Sequence, residues 1–574
     1  MLFILYSEIN AASIGTNLGM PEYSYYFVLK GFQQALRALG DIVIVQNPAA
    51  EVDAIFLEKQ SHGIPCVFLS FSPPNKTLTT LACPTICVFA WEFSNLPYEV
   101  WDDEPRNDWR AVLAQIDGAI TLSTYTAQVV KSVMGEDYPV CAIPVPVHDF
   151  AAAASRDLPS LVARCLAVNC TVIDSRFYRV DADSFSANIP AACFRPRDWC
   201  GERVELQFKL GDEGAGLMGG FYEPEPWGGA WSKIAEPWVL LPFALTGRCK
   251  IGVELTAYGP NVGKDATIAV GEQILPLSVS DDFVNHEFIF DVDLPINLIQ
   301  FGGLDITVLP GAHDLRSMGI GLRRLWVERM GVAVSQPLPL CESIPITLDG
   351  VVYTSVLNPG DGRKNWVEML TAFCFAFRNE ANATLLLKMT HRSIGAFLER
   401  FHYTLQRIGS IKCRVIILHG YLEDSAFQQL IDASTYYVNS SQCEGLCLPL
   451  MEFMSCGIPA IAPDHTAMHD YINGDNAFVV ESSVEPGVWP HDPRDLFRTL
   501  RYRLNWRSLV NAFEESFQAA YTNPEKYRKM SRCARESQKT FCSQETIAQK
   551  LQVFFANNNF DIENKNSCDD GCRA

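Results

Sequence analysis

Hydrophobic and polar positions over the first 150 residues repeat in short blocks. Apolar runs of strand length fall at 2–6, 42–45, 54–57, 66–70, 85–90, 118–122 and 140–145. Between several of them apolar residues recur at helical spacing, as over 25–39 and 108–116. Such alternation predicts a parallel sheet covered by helices on both faces. From 157 to 335 the helical period is lost. Strand-like stretches at 204–210, 239–243, 250–258, 266–270, 288–292 and 304–308 stand between Gly-Pro and Asp-Asp turn signals, the pattern of an all-β sandwich. The strand–helix rhythm returns at 346, with strands expected at 350–357, 383–389, 414–418, 436–439, 460–462 and 477–480, and helices at 365–378 and 424–433. Helices are then expected near 495–503, 507–521, 524–538 and 544–556. The expected organisation is therefore an α/β domain at 1–150, a β domain inserted at 157–335 and a second α/β domain at 346–490. C-terminal helices at 491–560 would pack back across the two α/β halves, ahead of a disordered tail at 561–574.

Composition narrows the function. The chain has 574 residues, 48% of them hydrophobic, which suits several packed domains and excludes wholesale disorder. A net charge of −20 disfavours general binding to nucleic acid or anionic lipid, and leaves room for a local phosphate site. No apolar run reaches the ~20 residues of a membrane span. The opening MLFILYSEIN lacks a basic flank and a small-residue cleavage site, so it reads as a first buried strand. The 19 cysteines are scattered without paired CxxC motifs, as expected of reduced thiols in a cytosolic protein, where the sequon at Asn75 carries no weight.

The densest chemistry lies in 441–462, SQCEGLCLPLMEFMSCGIPAIA. Glu444 and Glu452 flank a loop that leads into a short helix, with Pro449 expected at its first position and Gly457 and Pro459 ending it. The backbone N–H groups of Gly445, Leu446, Cys447 and Leu448 then lie at a helix N-terminus, a site suited to a diphosphate. The two carboxylates can hold hydroxyls on either side of it. This segment resembles the E-x7-E signature of family 4 retaining glycosyltransferases of the GT-B fold. His419-Gly420 and Tyr437–Ser440 upstream, and 457–462 and Thr466–Tyr471 (TAMHDY) downstream, fit the same pattern. The resemblance covers about 346–485 well, 1–150 more weakly, and the β insert not at all.

The resemblance implies two α/β domains facing a cleft, with the donor nucleotide sugar in the C-terminal half. Glu444 would hold the sugar and Glu452 the ribose. In the loop 358–365, NPGDGRKN, Lys364 matches the lysine that neutralises the departing phosphates, with Arg363 beside it. The family more often has an arginine about five residues before that lysine; here the position is Pro359. Gly15 and Gly19 lie in a strand–helix loop, 14–27, that would approach the donor phosphates. Tyr23 and Tyr25 follow, as sugar-stacking or core residues. At the end of 85–90, Glu92 stands where the family often has a histidine, a candidate for contact with the acceptor hydroxyl or the donor sugar. Ser123 reads as a helix N-cap. No metal site is expected. Asp181-Ala-Asp183 and Asp291-Val-Asp293 fit the DxD string of metal-dependent transferases but lie in the insert, away from any phosphate loop.

Within the insert, 220–232 (GFYEPEPWGGAWS) sets Tyr222, Trp227 and Trp231 beside Glu223 and Glu225. Aromatic faces with nearby carboxylates suit sugar rings. The same residues would serve equally as packing between the two halves or toward a partner. The resemblance therefore implies a retaining, metal-independent hexosyltransferase of bacterial polysaccharide or lipopolysaccharide synthesis. Its donor is a UDP- or GDP-type sugar, the base unresolved, used as co-substrate without a further cofactor. Its acceptor is a glycan or polyprenyl-linked glycan, reached in the cytoplasm or at the cytosolic face of the inner membrane. The alternative is a non-catalytic glycan-binding protein on the same scaffold.

Overall fold

The structure, a computed structural model, describes residues 1–558 except 12, 15–16, 148–160, 178–202, 210–213, 215–216, 309–313, 331–343, 393–394 and 491. Gly15, the Asp181-Ala-Asp183 string and the tail 561–574 therefore lie outside the described residues.

Strands β1 (Leu2–Tyr6), β2 (Asp41–Ile44), β3 (Cys66–Phe71), β4 (Thr85–Phe89), β5 (Gly118–Thr121) and β6 (Val140–Ala142) form a sheet in the order β2-β1-β3-β4-β5-β6. All its pairings are parallel. Helices α1 (Tyr23–Arg37), α2 (Pro48–Ser61), α3 (Trp109–Leu113) and α4 (Thr124–Met134) connect the strands. Strands β3, β4 and β5 are buried along their whole length, as continuous apolar runs require when both faces are covered. The expected strand at 54–57 is instead part of α2. Pro48 starts that helix, and the Glu51 carboxylate accepts from the Gln46 and Asn47 amides, which outweighs a brief apolar run.

The chain next forms β7 (Arg164–Val168) and β8 (Thr171–Asp174). It then builds an antiparallel sheet of eight strands: β9 (Arg203–Gln207), β10 (Met218–Gly219), β11 (Ala230–Trp231), β12 (Trp238–Ala257), β13 (Asp265–Val270), β14 (Gln273–Ser278), β15 (Val284–Gly302) and β16 (Ile320–Arg329). The stretches 239–243 and 250–258, expected as separate strands, are one strand, β12, which pairs with β15 through register shifts between Leu240 and Gly247. The stretch 304–308 is no strand; Thr307 makes a single bridge to Met318.

After β17 (Ile344–Leu348), a second α/β unit contains β18 (Val351–Leu357), β19 (Ala383–Met389), β20 (Arg414–His419), β21 (Tyr436–Val438), β22 (Ala460–Ala462) and β23 (Ala477–Val479). The sheet order is β23-β22-β21-β18-β19-β20-β8. Helices α5 (Trp366–Ala376), α6 (Gly395–Ile408), α7 (Asp424–Ala433) and α8 (Leu448–Ser455) belong to it. The edge strand β8 is antiparallel to β20 and is fixed by the buried ion pair Arg414–Asp174 at 2.6 Å, while β7 pairs with β17. Residues 171–174, placed by sequence in the insert, thus belong to the C-terminal sheet, and 164–168 form a two-stranded sheet with β17.

The chain continues as the hairpin β24 (Ser482–Val488) and β25 (Phe497–Leu504), then α9 (Trp506–Thr522), α10 (Pro524–Cys542) and α11 (Gln544–Asn557). A helix expected at 495–503 is strand β25. Phe497, Leu500 and Leu504 recur at helical spacing, while Leu500, Tyr502 and Leu504 alternate as in a strand, and pairing with β24 decides for the strand. Helix α11 returns to the first sheet, with Phe555 against Phe3 at 5.3 Å. One buried cluster runs from Phe3 through Trp91 and Leu446 to Met451 and Phe555, so the two α/β halves share a core. The middle sheet has its own.

Candidate active site

In the C-terminal sheet the order of connection reverses between β18 and β21. Loops at the carboxyl ends of two such strands diverge and leave a crevice for a ligand. The two segments singled out by sequence are these loops: 358–365 follows β18, and 439–447 follows β21.

The first loop is shaped by Asp361, whose side chain caps the 3-10 turn Gly362–Lys364 by accepting from the Arg363 amide. Asn365 then takes a left-handed conformation, φ 52°, before α5 begins. The turn directs Arg363 and Lys364 at the second loop, where both meet Glu444. Lys364 Nζ lies 2.6 Å from Glu444 Oε1 and Arg363 Nη1 3.2 Å from Oε2. Ser441 Oγ donates to Oε1 at 2.6 Å, and Asn439 Nδ2 at 3.3 Å. Burial alone would push the Glu444 carboxyl up. The charges of Lys364 and Arg363, with the hydrogen bonds from Lys364 and Ser441, outweigh it and hold the group down at about 2. Glu444 is thus a buried carboxylate, oriented from several sides. Burial also opposes the charges of Lys364 and Arg363. The neighbouring carboxylates prevail, led by Glu444 for Lys364 and by Glu92 for Arg363, and both cations titrate above their ordinary range.

Helix α8 opens at Leu448, one residue before Pro449, with Cys447 as its left-handed cap at φ 67°. Among the described residues no hydrogen bond takes up the amides of Gly445, Leu446, Cys447 or Leu448. They form an unpartnered donor edge beside Lys364, as an anion site requires. Asn439 Nδ2 also reaches Cys447 Sγ at 3.1 Å and so ties the cap to Glu444. Burial pushes the Cys447 thiol up to about 12, so it is no nucleophile at neutral pH.

Glu452 has other surroundings. It lies on α8 with no ion pair or hydrogen bond to its carboxylate among the described residues. Burial, with the nearby Asp424 carboxylate, pushes it up to about 7, although Lys30 pulls the other way. Lys30 of α1 and Asp424 of α7 pair at 3.1 Å across the two halves.

The N-terminal half closes the site. Trp91 and Phe93 are core residues: the Trp91 ring packs on Trp109 at 4.4 Å, and its Nε1 donates to the Asn95 carbonyl at 2.7 Å. That leaves Glu92 facing the cleft, with Oε1 3.0 Å from Arg363 Nε. Burial raises the Glu92 carboxyl despite Arg363. Gly445 needs to lack a side chain here, since a Cβ would meet Ala90 Cβ at 2.8 Å. Gly19 meets the other loop: its carbonyl accepts from Asn358 Nδ2 at 2.9 Å, and with φ 80° a Cβ would stand 3.0 Å from the His391 ring. Tyr25 is a buried core residue, and Ser123 caps α4 by accepting from Thr126 N. The structure brings together Glu92, Arg363, Lys364, Glu444 and Gly445–Leu448, with Gly19 joined to the first loop through Asn358, while Glu452 lies further along α8 near Asp424 and Lys30. Tyr222, Glu225, Trp227 and Trp231 lie on the middle sheet.

Sequence reasoning missed the residues that support Glu444. Ser441 and Asn439 stand in the quoted motif region without having been assigned a task. Thr466 Oγ1 accepts from the Glu444 amide at 3.0 Å, and the His465 ring stacks on Tyr502 at 4.3 Å. Nothing local in the sequence signals the pairing of Glu92 with Arg363. Asp291 and Asp293 share the exposed face of β15, where Asp291 pairs with Arg248 at 3.8 Å. Among the described residues no group of three or more His, Cys, Asp or Glu is arranged to hold a metal ion. Nor is any described helix long and apolar enough to cross a membrane.

The family described as Glycosyl transferases group 1 matches the chain over residues 376–491, a range that includes Glu444 and Glu452. This match supports a glycosyltransferase. No match is found among curated proteins. Among solved structures, a glycosyltransferase from Rickettsia africae is similar at 14% identity over 36% of this chain, with a TM-score of 0.28; the alignment spans 48% of that chain, about half its length. Sucrose-phosphate synthase from Thermosynechococcus elongatus aligns over 97% of this chain and 98% of its own at 12% identity, TM-score 0.41. Anabaena HepE in complex with UDP aligns over 97% and 99% at 9% identity, TM-score 0.43.

Proposed function

We propose that the protein is a glycosyltransferase of the GT-B, family 4 type, which moves a hexosyl group from a nucleoside diphosphate sugar to a hydroxyl of a glycan or lipid-linked glycan. One observation carries this reading: the ionised Glu444 and the cations Lys364 and Arg363 converge beside an unpartnered row of amides, Gly445–Leu448. The amides and Lys364 bind the diphosphate. Lys364 meets the negative charge that grows on the leaving phosphate, where a fixed cation stabilises the transition state most. Glu444, held from behind by Ser441 and Asn439, accepts from sugar hydroxyls. Glu452, whose carboxylate has no partner among the described residues, accepts from the ribose hydroxyls. Arg363 and Glu92 join the two halves over the reacting centre and keep water out.

Among these groups no free base faces the reacting centre: Glu444 is spent on cations and Glu92 on Arg363. This agrees with front-face attack and retention of configuration, in which the departing phosphate takes the acceptor proton. The cations and amides already answer the diphosphate charge, so the reaction is metal-independent and EDTA leaves the rate unchanged. The acceptor belongs to polysaccharide or lipopolysaccharide synthesis, reached from the cytoplasm or peripherally at the inner membrane. The test is release of nucleoside diphosphate from UDP-, GDP- and ADP-sugars. One donor class should turn over in wild type and not in Lys364→Ala. Absence of turnover with all of them, in folded protein that binds oligosaccharide, would favour a non-catalytic glycan-binding protein instead.

A further inference from the structure

The middle sheet carries a row of aromatic rings that its own core does not use. Tyr222, Trp227, Trp231, Tyr258 and Phe283 are half-buried, and none belongs to the buried cluster beneath them. Trp227 lies 5.7 Å from Trp231 and 5.3 Å from Phe283, and Trp231 lies 5.6 Å from Tyr258. The row is held in place by specific contacts. Trp227 Nε1 donates to Glu225 Oε2 at 3.0 Å, within a tight turn where Gly228 has φ 88°. The Trp227 ring lies over Gly229, where a Cβ would stand 2.2 Å from it. Tyr222 donates its hydroxyl to the Ser317 carbonyl at 3.2 Å, and its ring is covered by the Arg316 guanidinium at 5.0 Å. Arg316 in turn pairs with Glu225 at 2.8 Å.

Position ties the row to the cleft. Glu223, next to Tyr222, pairs with Arg392, which also donates to Met20 Sδ at 3.5 Å. Met20 follows Gly19, the residue hydrogen-bonded to Asn358 on the rim of the donor site. The aromatic row therefore begins beside Arg392 of the C-terminal half, which itself reaches Met20 of the N-terminal half.

We propose that this row is a carbohydrate subsite, which takes a neutral oligosaccharide and holds the acceptor glycan in line with the cleft. Ring faces receive the C–H faces of pyranose rings, while carboxylates and guanidinium groups at their edges exchange hydrogen bonds with hydroxyls. Glu225 and Asp314 pair with Arg316, Glu223 pairs with Arg392 and Arg323 pairs with Glu254, so the charges along the row's edge are answered within the protein, which favours a neutral chain over a charged one. The role as acceptor site rests on the transferase reading; the binding itself does not.

The full chain is titrated with maltohexaose, cellohexaose and laminarihexaose while tryptophan emission is followed. At least one of them should change the emission and saturate. Trp227→Ala and Tyr222→Ala should weaken that binding about tenfold or more, with nucleoside diphosphate binding unchanged. Tyr222→Ala, at the cleft end of the row, serves if loss of Trp227 disturbs the sheet by far-UV circular dichroism. No response to any of the three at about 10 mM, or equal affinity in folded variants, overturns the proposal. Oligosaccharide binding without donor turnover would overturn the transferase reading and leave the subsite standing.

Discussion

Glu444 and Glu452 stand on two sides of one helix start, separated by seven residues, and their surroundings are opposite. Around Glu444 two cations, a hydroxyl and an amide converge and outweigh burial, and its carboxyl is held at about 2. Around Glu452 burial acts almost alone, and its carboxyl rises to about 7. The first site is complete without ligand and serves as a rigid frame. The second has no hydrogen bond or ion pair to its carboxylate among the described residues. In the proposed function, the difference assigns Glu444 to orienting the sugar and Glu452 to receiving the ribose.

The largest effect should come from removing the cation that links the frame to the ligand. Lys364→Ala should lower turnover about 10²- to 10³-fold, the cost of losing one fixed stabiliser of developing charge, measured as nucleoside diphosphate release. Next, Glu444→Ala leaves Lys364 and Arg363 buried without their shared counter-charge. It should cost about 3 kcal/mol or more in urea unfolding.

The two glutamates should also differ in pH dependence, with opposite sign. A lowered carboxyl binds its proton more weakly in the folded state, so Glu444 contributes stability that is full above its ordinary value, 4.5, and lost as pH falls toward about 2. A raised carboxyl binds its proton more tightly in the folded state, so Glu452 costs stability as pH rises from 4.5 through about 7. Glu452→Gln should therefore be more stable than wild type at about pH 8 and equal to it near pH 4, while binding nucleotide about tenfold more weakly. A Gln variant that tracks wild type at both pH values would show that Glu452 titrates normally. The smallest effect is expected for Ser441→Ala, which removes one of several hydrogen bonds to Glu444 and should cost about 1 kcal/mol in the same unfolding experiment.

Much of this was legible in the sequence where local pattern decides. Strands β1 and β19 need only apolar runs, and the helix start after Glu444 needs only its glycine, prolines and spacing. Most of what escaped was decided by distant partners, and one stretch by a cap just ahead of it. The segment 497–504 carries apolar residues at both helical and strand spacing; β24 and the N-terminal loop settle it, with Leu500 N donating to Ser94 Oγ and Asn95 Nδ2 to the Arg498 carbonyl. Residues 171–174 look like the other strands of the middle region, yet the Asp174–Arg414 pair fixes them on the C-terminal sheet. The run 54–57 is apolar enough for a strand, but capping by Glu51 makes it helix. At the site, Glu92 and Arg363 lie far apart in sequence, and only the shared core of the two halves brings them to 3.0 Å.

The most direct test of the central claim is thermal unfolding of wild type, Lys364→Ala and Glu452→Gln with UDP, GDP and ADP. One nucleotide at about 100 times its Kd should stabilise wild type by about 2.7 kcal/mol, with most of that lost in Lys364→Ala and about half of it in Glu452→Gln, whose tenfold weaker binding leaves about 1.4 kcal/mol. No stabilisation of folded wild type by any of the three, or undiminished stabilisation in Lys364→Ala, would contradict a diphosphate site built on Lys364 and the amides before α8.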